Sequence, residues 1–98
     1  GSGPAYVFLL IEEFTRAAEE LGFEEEVAAL MVQQTFLGAS LLLEGGEEDP
    51  AELRRRVTSP KGTTERAVAV LQEAELAEVF GRATRAALAR AKELAAGG

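Results

Sequence analysis

The chain has 98 residues, a formal net charge of -7 and an isoelectric point of about 4.6. This acidic balance disfavours binding to nucleic acid or to an anionic membrane, because phosphate contacts require a dense positive surface. Cysteine and histidine are both absent, which excludes disulfides, thiol nucleophiles, serine–histidine–aspartate triads and ordinary zinc sites. Any chemistry must therefore use backbone amides, hydroxyls, carboxylates, lysine or a cofactor, and we predict no metal site.

The length predicts one helical domain over residues 1–98, near the lower size at which a chain buries a sufficient core unaided. No stretch approaches the roughly 20 apolar residues of a membrane span. The apolar run from Ala5 to Ile11 is short and lacks a basic flank, so it does not match a signal peptide. We therefore expect a soluble protein in the cytoplasm, without a membrane partner.

The first two predicted helices are apolar on more than one face. Gly1–Pro4 offers a cap and a first-turn proline, so a helix should run from there to about Leu21, before a glycine. A second helix is predicted from about Glu24 to Gly45-Gly46. The consecutive apolar residues from Ala5 to Ile11 require burial on all sides.

Three further helices follow in the second half of the chain. Asp49-Pro50-Ala51-Glu52 reads as a cap, a proline at the first turn and a glutamate three residues after the cap, which predicts a short helix over about 50 to 57. Pro60 ends it, and a fourth helix should run from Gly62–Thr64 to about Ala74. A fifth, with apolar residues at three-to-four spacing, should end at Gly97-Gly98. No strand is predicted, so the expected fold class is all-α with five helices.

The first two helices carry more apolar surface than one small domain can cover. Contiguous exposed apolar area of that size usually marks an interface. We therefore expect a two-fold homodimer in which helices of both chains share one core. The alternative is that the other helices wrap the first two within one chain.

The run Thr58–Thr64 is the strongest candidate for a functional site. Pro60 pushes Ser59 toward an extended conformation, Gly62 allows a sharp change of direction, and the next amides open a helix. Free amides at the positive end of a helix dipole bind a carboxylate or phosphate with little rearrangement. The hydroxyls of Ser59, Thr63 and Thr64 lie beside them. The same residues are also what a plain capped connection requires, and taken alone the motif favours that interpretation over an anion site.

The motifs, taken in order, resemble the C-terminal domain of pyrroline-5-carboxylate reductase. The resemblance covers nearly the whole chain, and two motifs in this order and spacing are quite specific. The matching residues are Gly1–Tyr6, Gly22, Ala28, Gln34-Thr35, Gly38-Ala39, Pro50, Leu53, Arg54, Val57, Thr58–Thr64 and Ala67.

The resemblance implies an enzyme that reduces 1-pyrroline-5-carboxylate to L-proline with NADPH or NADH, the last step of proline biosynthesis. It also implies that this helical domain interlocks with its twin in a homodimer, often assembled into decamers, with the substrate pocket at the dimer interface. By position, Ser59, Gly62, Thr63 and Thr64 would bind the substrate carboxylate, with the Val57 carbonyl nearby. The Thr64 hydroxyl would lie beside the ring nitrogen and assist its protonation, as the catalytic residue.

Two residues depart from the family pattern. Lys61 stands where most members have glycine. If this position needs a positive φ, lysine would cost about 1 kcal/mol, which a cationic contribution to the anion site could offset. Glu65 replaces the usual apolar residue after the second threonine, close to the expected carboxylate site. Its side chain could instead favour the helix start through the dipole.

The chain also lacks a glycine-rich strand–turn–helix element that could hold a dinucleotide. The pair Gly45-Gly46 follows a helix and leads into Glu47-Glu48, which would repel phosphate. The chain alone is therefore expected to bind no cofactor and to be inactive. The alternative function is a stand-alone helical dimerisation module without a ligand.

Overall fold

The computed structural model describes residues 2–97. Within them the chain forms five α-helices and no strand, which confirms the all-α prediction. The helices are α1 (Gly3–Glu20), α2 (Glu25–Gly45), α3 (Pro50–Arg56), α4 (Thr63–Glu73) and α5 (Leu76–Ala95).

The helix ends lie close to the predicted ones, because local residues set them. Gly22 follows α1 with a φ of 109°, a left-handed conformation that glycine adopts without a Cβ penalty. Before α3, the Asp49 Oδ1 atom accepts a hydrogen bond of 2.9 Å from the Glu52 amide, which is the predicted cap. Ser2 precedes α1 but its side chain makes no capping bond. The predicted end of α5 at Gly97-Gly98 lies partly outside the described residues, and α5 ends at Ala95.

The chain divides into two compact units, one reaching Leu53 and the other beginning at Arg54. In the first unit α1 packs against α2. The buried residues of this unit are small: Ala18, Ala28 and Val32. The partly buried side chains of Ile11 and Phe36 pack against them. In the second unit no described residue of α4 or α5 is buried.

α2 is apolar on the side that faces α1 and on the opposite side. Leu30 lies two residues after the buried Ala28, about 200° around the helix. Leu37 and Leu41 continue this second stripe, and the three leucines are 62%, 51% and 55% exposed, respectively. The chain by itself therefore leaves an apolar face of α2 uncovered.

Large side chains of the first unit outside this stripe are exposed as well, among them Phe8 at 68% and Leu42 at 66%. Contiguous exposed apolar area of this kind is typical of an interface.

α2 is also long and apolar enough to cross a membrane, judged by length and composition alone. The expectation that no segment reaches this threshold is therefore wrong for Glu25–Gly45. The finding is weak evidence for a membrane, because a core helix of a soluble protein passes the same test. In the isolated chain only 11% of this apolar window is buried, as expected of a core helix whose partner is a second chain.

Candidate functional site

The run Thr58–Thr64 forms a tight turn followed directly by α4. The Ser59 carbonyl accepts a hydrogen bond of 3.1 Å from the Gly62 amide, which closes a four-residue β-turn. Pro60 occupies the second position of this turn, and Lys61 occupies the third with a φ of 61°. Proline followed by a residue of positive φ is the pattern of a type II turn.

Lys61 therefore adopts a left-handed conformation, the case in which a cost for lysine is expected from the sequence. A side chain with a Cβ costs about 1–2 kcal/mol in this region. The Lys61 amide donates a hydrogen bond of 2.9 Å to the Glu65 Oε1 atom. The carboxylate of Glu65 thus folds back over the first turn of α4 and bonds the middle of the loop.

The start of α4 carries no side-chain cap. Gly62 precedes the helix in an extended conformation, with φ of -88° and ψ of -179°. The amides of Thr63 and Thr64 occupy the first turn, where an α-helix supplies no carbonyl partners. Both threonines are exposed. Their amides and hydroxyls, together with the positive end of the helix dipole, form an anion-binding arrangement.

Gly62 has a steric role in this geometry. A Cβ atom at this position would lie 3.2 Å from the Ser59 carbonyl oxygen, tighter than nine in ten real Cβ contacts. The Gly62 amide is already donated within the turn. The residue therefore lets the turn close against the start of α4.

The residues before the turn continue the end of α3. The Thr58 hydroxyl donates to the Arg54 carbonyl, and the Val57 amide donates to the same carbonyl at 3.3 Å. Val57 itself is 69% exposed, and Ser59 is exposed. The predicted site residues Val57, Ser59, Gly62, Thr63 and Thr64 thus lie on one exposed loop and the helix start that follows it.

An open groove runs beside this loop within the second unit. Its basic side is formed by two arginines of α3 and its other side by a face of α4 with both polar and apolar residues. The lining residues are Arg54, Arg55, Thr58, Glu65, Val68, Ala69 and Gln72. Within residues 2–97 no group of acidic side chains could hold a metal ion.

Two contributions to the loop were not predicted from the sequence. One is the bond from the Thr58 hydroxyl to the Arg54 carbonyl, which ties the loop to α3. The other is the bond from the Lys61 amide to Glu65. A signal for the second was present, because a glutamate at the third position of a helix is half of a capping box and reaches back to the preceding backbone.

Comparisons with known proteins identify the family. Residues 1–94 match the family described as pyrroline-5-carboxylate reductase dimerisation. The chain is 48% identical to a pyrroline-5-carboxylate reductase of Pseudomonas aeruginosa over 97% of its own length and 35% of that protein. It is 42% identical to the corresponding protein of Vibrio alginolyticus, over 96% of this chain and 35% of that protein.

The fold agrees with this assignment. A solved pyrroline-5-carboxylate reductase from Coxiella burnetii superposes with a TM-score of 0.93 at 50% sequence identity, over 96% of this chain and 35% of that one. The chain thus spans about a third of the length of the relatives it matches. The exposed apolar faces of α1 and α2 fit a domain that associates with another copy of itself. The chain belongs to the pyrroline-5-carboxylate reductase dimerisation family.

Proposed function

We propose that this chain is the dimerisation and substrate-binding part of a reductase that converts 1-pyrroline-5-carboxylate to L-proline, the last step of proline biosynthesis. The observation that carries the proposal is the uncapped start of α4, with Thr63 and Thr64 behind a type II turn, in a chain of this family. A cyclic imine with a carboxylate requires an anion site and a hydroxyl within reach of the ring nitrogen. The α4 start offers both.

Each loop residue has a distinct task in this proposal. The amides of Thr63 and Thr64 bind the substrate carboxylate, and the Ser59 hydroxyl adds a contact from the other side of the turn. Gly62 allows the close approach between turn and helix, and the Val57 carbonyl accepts a hydrogen bond from the ligand. The Thr64 hydroxyl donates to the ring nitrogen and assists its protonation as the imine carbon is reduced.

The reduction requires a reduced nicotinamide, NADPH or NADH, as the hydride donor. The chain's own residues do not fit a dinucleotide, because residues 2–97 form no strand and hence no strand–turn–helix phosphate loop. Gly45-Gly46 is followed by Glu47-Glu48, whose charges oppose phosphate. The cofactor is therefore held by a separate dinucleotide-binding domain, and this chain alone is inactive.

The proposed partner is a second copy of the chain. The stripe of Leu30, Leu37 and Leu41 and the other exposed apolar side chains of α1 and α2 support a homodimer in which helices of both copies interlock. Association of such dimers into a decamer, and a location in the cytoplasm, complete the proposal. The substrate loop then lies at the dimer interface.

The substrate proposal is tested by titrating the dimeric chain with L-proline or tetrahydrofuroate and following backbone amides by NMR. We expect shifts confined to residues 57–66. Tetrahydrofuran, which has the ring without the carboxylate, is the matched control and should leave these amides unchanged. A dimer that shows no response to either acid at millimolar concentration would favour the alternative of a dimerisation module without a ligand.

A further inference from the structure

We propose that Glu65 is a positioning residue of the substrate loop. Its carboxylate accepts the Lys61 amide and so keeps the turn in the form that presents the start of α4 to the substrate. The inference rests on the proposed function for its kinetic consequences and on the Lys61–Glu65 bond of 2.9 Å for its geometry.

The turn needs support at its third residue. A type II turn places its third residue at positive φ, where glycine is favoured. Here that residue is Lys61, at a φ of 61°. One residue with a Cβ in this region lowers the population of the conformation by a factor of about 5 to 30. The turn bond from the Gly62 amide to the Ser59 carbonyl is common to any such turn and does not offset the particular cost of lysine.

Glu65 acts on the strained residue itself, since it bonds the Lys61 amide. Hydrogen bonds that involve a carboxylate are shorter and about twice as strong as neutral ones. Glu65 lies at the third position of α4, from which a side chain reaches the backbone ahead of the helix. The bond fixes the Lys61 amide in the orientation that its left-handed conformation requires.

The bond to Lys61 also explains how the negative charge of Glu65 is accommodated beside a loop that binds the substrate carboxylate. Glu65 accepts the Lys61 amide and lines the same groove as Arg54 and Arg55. One of its carboxylate oxygens is therefore bonded to the loop backbone, in a groove that also contains two positive charges. The amides of Thr63 and Thr64 remain for the substrate.

The conformation of the turn affects KM, because the loop binds the substrate carboxylate. The substrate carboxylate is not altered in the reduction, so its contacts are the same in the ground state and in the transition state. Loss of such contacts raises KM and leaves kcat nearly unchanged. A loop that is competent only part of the time raises the apparent dissociation constant by the inverse of that fraction.

The test uses the complete reductase and three variants. Glu65→Ala should raise KM for 1-pyrroline-5-carboxylate about 5- to 30-fold, with kcat changed less than about twofold. Glu65→Gln keeps an oxygen that accepts the hydrogen bond from the Lys61 amide, so its KM should lie within about threefold of the wild-type value. Glu78→Ala is the matched control, because Glu78 occupies the same third position in α5 and also follows a residue of positive φ. Glu78→Ala should leave KM and kcat unchanged.

A double-mutant cycle isolates the role of the turn. In a Lys61→Gly background the turn no longer carries the cost of a Cβ, so adding Glu65→Ala should change KM less than about twofold. If Glu65→Ala raises KM equally with lysine and with glycine at position 61, the proposal is overturned, since Glu65 would then act through the helix dipole alone. An effect of Glu65→Ala on kcat rather than KM would overturn it as well.

A measurement on the dimeric chain separates this inference from the proposed function. Hydrogen exchange of the Lys61 amide should quicken about fivefold in Glu65→Ala and remain unchanged in Glu78→Ala. Unchanged exchange would refute the positioning role even if the enzyme reduces the imine as proposed. Quickened exchange in the chain, combined with a complete enzyme that does not reduce 1-pyrroline-5-carboxylate, would refute the proposed function and leave Glu65 as the anchor of the turn.

Discussion

Leu37→Glu tests whether the second apolar face of α2 is an interface between two copies. Leu37 is near the middle of α2 and 51% exposed in the single chain. Glutamate is a good helix former, so the variant changes the surface and not the helix. At an exposed helix position of a monomer such a change alters the free energy of unfolding by only about 0.5 kcal/mol.

The expected effect is far larger if the face is covered by a partner. Burying an uncompensated carboxylate costs several kcal/mol, and a two-fold interface contains the substitution twice. With about 3 kcal/mol for each copy, the dimer loses about 6 kcal/mol, and its Kd rises about twenty-thousand-fold.

The assay is sedimentation equilibrium over a range of protomer concentrations, with helix content followed by circular dichroism in the same samples. Gln72→Glu adds the same charge at an exposed position of α4, two turns after Glu65, and is the matched control. A wild-type chain that sediments as a folded monomer would refute the interface. So would a Kd for Leu37→Glu within tenfold of the control.

Three further predictions concern the loop and the helix that precedes it. Thr64→Ala in the complete reductase should lower kcat about a hundredfold while changing the free energy of unfolding by less than about 0.5 kcal/mol; a loss of stability without a loss of turnover would make Thr64 a helix cap. Lys61→Gly should raise the free energy of unfolding by about 1 kcal/mol in denaturant titrations at fixed protomer concentration, because φ is 61° there; a decrease would contradict the strain. Asp49→Ala should lower it by about 1 kcal/mol, since Asp49 caps α3 through the Glu52 amide at 2.9 Å. An unchanged midpoint for Asp49→Ala would show that the exposed cap contributes nothing.

The positions of the helices could be predicted from the sequence because their ends depend on nearby residues. Gly22 and Pro60 interrupt the helical pattern, and the Asp49-Pro50 pair starts α3, each through its own backbone restriction or side chain. The observed bounds therefore fall within a few residues of the predicted ones. The surplus of apolar residues in α1 and α2 was equally visible, since it is a property of composition and spacing.

Composition alone does not predict what surrounds α2. α2 passes a test of length and apolar content that inspection of consecutive apolar residues does not predict, because Gln33, Gln34 and Ser40 interrupt the run. Whether such a helix meets lipid, its own chain or a second chain depends on what packs against it. Residue type alone does not decide this.

The sequence by itself determined the five helices, the apolar surplus and the loop at Thr58–Thr64, because propensity, capping and turn chemistry act over a few residues. Only the tertiary structure decided that Lys61 is left-handed, that Glu65 bonds its amide, and that the start of α4 has no side-chain cap. Residue type does not predict the first of these features, because a lysine rarely adopts a positive φ. The bond to Glu65 depends on that backbone conformation together with the Glu65 rotamer, and only the folded loop defines both.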